Sequence, residues 1–345
     1  MQSSMEIEII EQPCLIGNLI RKHVQNYVIM LDMPLNVKKV KFIASGSSYN
    51  CAQIAKKFFE EIALVDADVE FSGEFLYDKK PIDSETLYFF ISQSGETYDT
   101  VEACNKVKSN NTKTYAIVNN NSSTLYDMCD YKIDVMAGVE RSIAATKSFS
   151  TTLVALYLCA LKIAQNKLIN IAEYMQNIDF VEKNVANVLD MTTGIDEAAT
   201  HLSKYKAFPI IGHGYNYALA REASLKTKET SFIDANAYAM GEFLHGHVAI
   251  LNKVDTLIEI VTQGFNEFET KTISKVKADY NPKSVVITDS KEDFDEKIKI
   301  LFPHSDDLIT RLLSTIMVFQ TLALKIAQKL KRDIDNPNGL SKVVK

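Results

Sequence analysis

Ser92-Gln93-Ser94-Gly95-Glu96-Thr97 places three hydroxyls, a carboxamide and a glycine within six residues. The segment follows an apolar run and precedes a helical pattern. At such a strand-to-helix turn the unpaired backbone N–H groups and the helix dipole favour an anion. The hydroxyls add neutral donors, so the chemistry they suit is capture of a small molecule's phosphate. Gly46-Ser47-Ser48 has the same form. The competing reading is that these residues only cap helices, a task Ser94 and Thr97 are able to do alone. Neither turn carries the glycine-rich patterns that cradle nucleotides.

A second group is ionisable. Glu222, Lys226 and Glu229 fall at i, i+4 and i+7, on one face of a helical pattern. A carboxylate beside an ammonium suits proton transfer; the alternative is a solvated salt-bridging face. Downstream, Gly241-Glu242-Phe243-Leu244-His245-Gly246-His247 puts His245 beside glycine, as in a polar loop. The His-x-His spacing lacks a third ligand, and zinc sites need three or four, so no metal is expected. Glu140 to Phe149 is small and polar and enters a long helical pattern; alone it reads as a capped loop.

The elements that must position these residues alternate. In the first half the strand candidates are 40–44, 68–71, 86–91, 114–118 and 131–135, with helical patterns over 49–62, 97–108 and 147–165. In the second half the strands are 207–211, 232–235, 247–251, 255–261 and 284–288, with helices over 216–230, 265–279 and 307–330. Alternation of this kind predicts an α/β fold with parallel sheets covered on both faces. In such sheets ligands bind beyond the carboxyl ends of the strands. A repeat supports two copies of one domain: Gly46, Tyr49, Asn50 and Ala52 recur as Gly212, Tyr215, Asn216 and Ala218, 166 residues on. The expected organisation is an N-terminal helical segment (1–35, with a helix over 12–27 and Pro13 in its first turn), a first domain (36–168), a second (190–331) and a C-terminal tail (332–345).

Composition bounds the rest. Apolar residues make up 46% of the 345 and charged residues 24%, ordinary for a globular chain. Net charge is −6, and without a basic face no nucleic-acid partner is expected. The longest purely apolar run, 153–161, is far short of the about 20 residues that span a bilayer, so no membrane association is expected. Five widely spaced cysteines without a CxxC predict free thiols and a cytoplasmic setting.

At these segments the sequence resembles the sugar isomerase (SIS) domain family, above all the isomerase half of glucosamine-6-phosphate synthase and its stand-alone deaminase relatives. The residues that carry the resemblance are Ser92–Thr97, Leu225–Glu229 followed by His245-Gly246, Ala144–Lys147, and Asn338–Val343. It implies two tandem SIS domains, each a doubly wound, flavodoxin-like three-layer α/β/α unit. It implies that Ser48, Ser92, Gln93, Ser94 and Thr97 hold a sugar phosphate, and that the backbone around Ile143 and Ser341 touches the sugar. Glu229 would move a proton between C1 and C2, with Lys226 assisting. His245, reaching in from a neighbouring subunit of a homodimer or larger homo-oligomer, would open the ring. Lys342 would form an imine with a ketose carbonyl, which asks for burial or nearby cations to hold its amine neutral. No cofactor is implied. The synthase has a glutaminase cysteine directly after its initiator methionine; here Gln2 follows Met1 and the sequence begins near the start of the isomerase part, so glutamine is not expected as nitrogen donor, and His247 stands where proline is expected. The implied reaction is conversion of glucosamine 6-phosphate to fructose 6-phosphate and ammonia. The alternatives are removal of the amine from a fructosamine 6-phosphate, and sugar-phosphate sensing without catalysis.

Overall fold

A computed structural model of the chain describes residues 2–291 and 298–342. The chain divides into two compact units. The first comprises Glu11–Glu140, Ala145–Glu182 and the chain from Ser341; the second comprises the chain up to Ile10, Arg141–Ala144 and Lys183–Leu340. The expected N-terminal segment 1–35 is divided between the units after Ile10, the 141–144 loop belongs to the second unit, and the tail's end belongs to the first. The last tail residues, 343–345, lie outside the described residues.

The first unit is built on five parallel strands: β1 (Lys39–Ala44), β2 (Asp66–Phe71), β3 (Thr86–Ser92), β4 (Thr114–Val118) and β5 (Tyr131–Asp134), in the order β2-β1-β3-β4-β5. β3 and β4 are buried along their whole lengths, which is why they read as continuous apolar runs rather than alternations. Its main helices are α2 (Gly46–Glu61), α3 (Tyr98–Lys108) and α4 (Lys147–Asn166). Phe42, Phe59 and Phe89 meet with ring centroids 4.9–5.3 Å apart, and Phe58 sets its edge on Tyr157 of α4. Each such side chain contributes about 1.5–3 kcal/mol by leaving water. This cluster fixes α2 against the sheet and so holds the start of that helix at the end of β1.

The second unit repeats the arrangement. β6 (Ala207–Gly212), β7 (Asp234–Ala239), β8 (Thr256–Ile260), β9 (Lys283–Thr288) and β10 (Ile298–Leu301) are parallel, in the order β7-β6-β8-β9-β10. The helices are α5 (Tyr215–Ser231), α6 (Glu267–Tyr280) and α7 (Leu308–Lys329). The sequence repeat marks the same strand–turn–helix in both units, β1–α2 and β6–α5. The two glycines serve different ends: Gly46 sits at φ +57, whereas a Cβ on Gly212 would lie 2.5 Å from the Asn216 backbone.

Several expectations are corrected. The N-terminal helix, α1, runs Ser4–His23 rather than 12–27, so Pro13 lies inside it and not in its first turn. Residues 24–29 form a two-residue hairpin instead. His247–Leu251 is not a strand but part of a 3-10 helix, His247–Asn252. α4 and α7 are long and apolar enough to cross a membrane, yet both are buried core helices. Their apolarity is explained by packing on every side.

Candidate functional site

In the first unit β3 delivers Ser92, 4% exposed, to the carboxyl edge of the sheet. Its hydroxyl lies 3.0 Å from that of Thr97 and accepts the Gly95 N–H at 3.1 Å. Thr97 is the N-cap residue of α3, but its side chain makes no cap bond; the hydroxyl turns to Ser92 instead. The capping alternative therefore fails for Thr97. Ser94 accepts the Glu96 N–H at 3.1 Å. The turn needs glycine: Gly95 is at φ +68, and a Cβ there would stand 2.0 Å from the Ser123 hydroxyl. Glu96 is tied to Thr124 N and Oγ1 at 2.7 and 2.9 Å. Gln93 is half-buried, its carbonyl accepting the Asn119 N–H at 3.1 Å. Ser48, also half-buried, lies in the first turn of α2, at the end of the neighbouring strand β1. Two hydroxyl-bearing turns thus stand at the ends of β1 and β3, where the order of the sheet reverses, a place that binds ligands in open α/β sheets.

The same unit holds Lys342 and its neighbour Ser341, which is exposed. The Lys342 ammonium lies 2.6 Å from Glu140. Glu140 is the residue that sequence reasoning missed. Its buried carboxylate also accepts Thr146 N–H and Ser148 N–H, each at 3.0 Å, and the Ser148 hydroxyl at 2.6 Å. Burial by itself would raise its pKa; the Lys342 charge and the Ser148 bonds outweigh burial and hold it below the usual value. The sequence offered one signal, an acid just before a helix whose first N–H groups need a partner. The Lys342 side chain is 23% exposed, and the partner the structure gives it is an anion.

The second unit carries the ionisable helix. α5 lies between the sheet and α7, bonded to both sides through Ser224 to Ala235 O at 2.7 Å and Thr230 to Ala323 O at 3.4 Å. Glu222 and Lys226 therefore have no exposure at all. Lys226 bridges Glu222 at 3.3 Å and Glu229 at 2.5 Å, and Glu229 alone of the three reaches solvent, 20% exposed. A solvated salt-bridging face is thereby excluded. Burying such an array is costly unless each charge is paired. The opening left at Glu229 aims one carboxylate, backed by an ammonium, outward.

His245 lies exposed in the turn after a short helix, with its N–H on Glu242 O at 2.9 Å. The next residue, Gly246, is at φ +100. His247 packs its ring against Tyr238, centroids 4.6 Å apart. Ile143 is in the second unit too, its N–H donated to Asp335 O at 3.4 Å. Among the described residues no group of three or more His, Cys, Asp or Glu side chains is placed to hold a metal.

The sequence and the fold are similar to those of known proteins. The SIS domain family matches residues 35–162 and 201–297. The glutamine–fructose-6-phosphate aminotransferase (isomerizing) of Campylobacter jejuni is 30% identical over 99% of the chain and 58% of its own length. That of Wigglesworthia glossinidia brevipalpis is 32% identical over 98% and 57%. The chain thus spans little more than half the length of these relatives. Among solved structures, the C-terminal domain of glucosamine-fructose-6-phosphate aminotransferase from Francisella tularensis superimposes with a TM-score of 0.90 at 30% identity, covering 98% of this chain and 99% of that one. Glucosamine-6-phosphate deaminase from Thermotoga maritima shares the fold, with a TM-score of 0.78 at 22% identity over 99% of each chain. With the family matched over well over half of the sequence, twice, and two sheets of one topology, the chain belongs to the SIS domain family.

Proposed function

We propose that the chain is a phosphosugar isomerase that converts glucosamine 6-phosphate to fructose 6-phosphate and ammonia. The observation that carries the reading is the fully buried Lys226 held between two carboxylates, of which only Glu229 opens to solvent. Aldose–ketose exchange asks for one base that removes a proton and returns it one carbon away, and a carboxylate backed by an ammonium is suited to that. His245 protonates the ring oxygen as the ring opens. Glu229 takes the proton from C2 and delivers it to C1, leaving an imine at C2. Water adds to that carbon and ammonia departs, so glucosamine 6-phosphate and water balance fructose 6-phosphate and ammonia. Lys226 assists near C2 and stabilises the developing charge. Ser48, Ser92, Gln93, Ser94 and Thr97 hold the phosphate, and Ser341 and the Ile143 backbone meet the sugar. Lys342, paired with Glu140, takes the role of a cation over the substrate; imine formation at Lys342 requires transfer of its proton first. The names of the relatives, which act on fructose 6-phosphate, support the substrate class.

The test is ammonia release from the purified chain offered glucosamine 6-phosphate, galactosamine 6-phosphate or a fructosamine 6-phosphate. Ammonia from glucosamine 6-phosphate is expected. Glu229→Gln is expected to lower the rate by about 100- to 10,000-fold, the range of a lost general base, with sugar-phosphate affinity kept. Free amine from the fructosamine phosphate alone would replace this reading with deglycation, and undiminished turnover in Glu229→Gln would remove the base.

A further inference from the structure

The second unit has its own crevice at the carboxyl edge of its sheet, and none of the residues discussed so far as catalytic or phosphate-holding line it. It is a cavity of about 390 Å³ between the loop after β6 and the loop after β8. β6 and β8 are the pair at which the strand order reverses, as β1 and β3 are in the first unit. The cavity is therefore the topological counterpart of the hydroxyl-bearing turns around Ser48 and Ser92–Thr97. Sequence echoes it: Thr262-Gln263-Gly264 repeats the succession of hydroxyl, carboxamide and glycine in Ser92, Gln93 and Gly95.

The lining is polar and built. Thr262 donates to Asn216 Oδ1 at 3.1 Å, joining the two loops. Gln263 sits at φ +64, where a non-glycine residue is strained. Its N–H is held on the buried Asp289 at 2.6 Å, and Asp289 is held in turn by His304 at 3.0 Å. Glu269 is 4% exposed and completes a capping box with Asn266 at the start of α6. It lies 4.0 Å from His213. Arg311, from the first turn of α7, lines the cavity and is steadied by the carbonyls of Ser305 and Asp306 at 3.0 and 3.3 Å. The three acids near Arg311 have other partners as well: Asp307 caps Thr310 N–H at 2.9 Å, Asp289 holds Gln263 and His304, and Asp306 lies 3.2 Å from His304 Nε2. The N-termini of α5 and α6 both open onto the space.

We propose that this cavity is a second, non-catalytic sugar-phosphate site. Arg311 and the two helix starts receive the phosphate, and Asn216 and Gln263 take sugar hydroxyls. The volume suits a monosaccharide phosphate and lies at the small end of ligand sites. An apolar ligand would leave the polar lining unpaired at a cost of several kcal/mol. Glu269 is committed to the helix cap, so the site binds without a base free to turn its ligand over. The proposal does not rest on the catalytic reading; a chain without turnover would still show the site.

Equilibrium dialysis of the full chain against labelled fructose 6-phosphate, and against inorganic phosphate, tests it. Two molecules per chain are expected. Arg311→Gln, and separately Gln263→Glu, which puts a carboxylate in the cavity, should weaken one of the two at least ten-fold and leave the other unchanged, with melting curves confirming that each variant is folded. A Ser94→Ala/Thr97→Ala variant should lose the other. Saturation at one molecule that survives both cavity variants, or two unchanged sites in both, overturns the proposal. One molecule lost in the cavity variants but kept in Ser94→Ala/Thr97→Ala would uphold this site and sink the phosphate loop of the first unit.

Discussion

Glu140 joins parts of the first unit that lie far apart in the sequence. One buried carboxylate closes the start of α4 through Thr146 and Ser148 and fixes Lys342 from the chain's far end. Its pKa is lowered in the fold, and the sign of the consequence follows from linkage. A depressed carboxyl adds stability that is fully present above its unfolded value, 4.5, and is lost as pH falls from there through the folded value. The chain should therefore lose melting temperature as pH falls below 4.5. Glu140→Gln has no such titration and should show a flatter profile over the same interval. At neutral pH the variant should be less stable by about 1–3 kcal/mol, the scale of charged hydrogen bonds, since the Lys342 side chain is 23% exposed and solvent screens part of the ion pair. Its turnover should fall with Lys342 set loose. Melting curves from pH 3 to 7 decide: parallel profiles for the two proteins would mean that Glu140 is not the titrating group.

At the scale of elements, the strand-to-helix turn after β3 depends on the helix Thr124–Met128 beside it. Ser123 caps that helix and fills the space where a side chain on Gly95 would go. Gly95→Ala should weaken sugar-phosphate binding at least ten-fold, because the methyl group meets Ser123 and the residue must also hold φ +68. Adding Ser123→Gly removes the collision but not the backbone strain, which is about 1–2 kcal/mol, so affinity should recover in part. Full recovery, or no loss in Gly95→Ala, would show the turn to be adaptable. This dependence also explains what was legible. Parallel strands buried on both faces announce themselves as apolar runs, and 86–91 and 114–118 were readable to within a residue of their ends. Val248 to Leu251 is an apolar run as well, but only Leu251 is buried, and Gly246 at φ +100 turns the chain into a 3-10 helix. A short apolar run does not distinguish the two. β10 escaped because Ile298-Lys299-Ile300-Leu301 is an edge strand with one buried residue. Glu222, Lys226 and Glu229 were visible by spacing, while their burial depended on α7, some 80 residues further on, covering the helix.

At the scale of the whole molecule, one topology occurs twice while the chemistry is divided: a hydroxyl-rich turn in the first unit, a buried ionisable helix in the second. Duplicated scaffolds permit this, since each copy offers a crevice at the same strand ends and side chains decide its use. His245 stands exposed on a turn rather than inside either core, which leaves it available to another copy of the chain. The proposal that a homodimer shares it makes a quantitative expectation. In a symmetric dimer each site takes Glu229 from one protomer and His245 from its partner. Mixed with Glu229→Gln, an inactive His245→Ala variant forms heterodimers in which one site has both residues and the other has neither. Random exchange makes half of the dimers mixed, so the mixture should regain about a quarter of wild-type ammonia release. Each variant alone stays inactive. Native mass spectrometry reports the exchange independently. Mixed dimers without any regained activity would put Glu229 and His245 of each site in one chain; recovery near a quarter would require them to come from two.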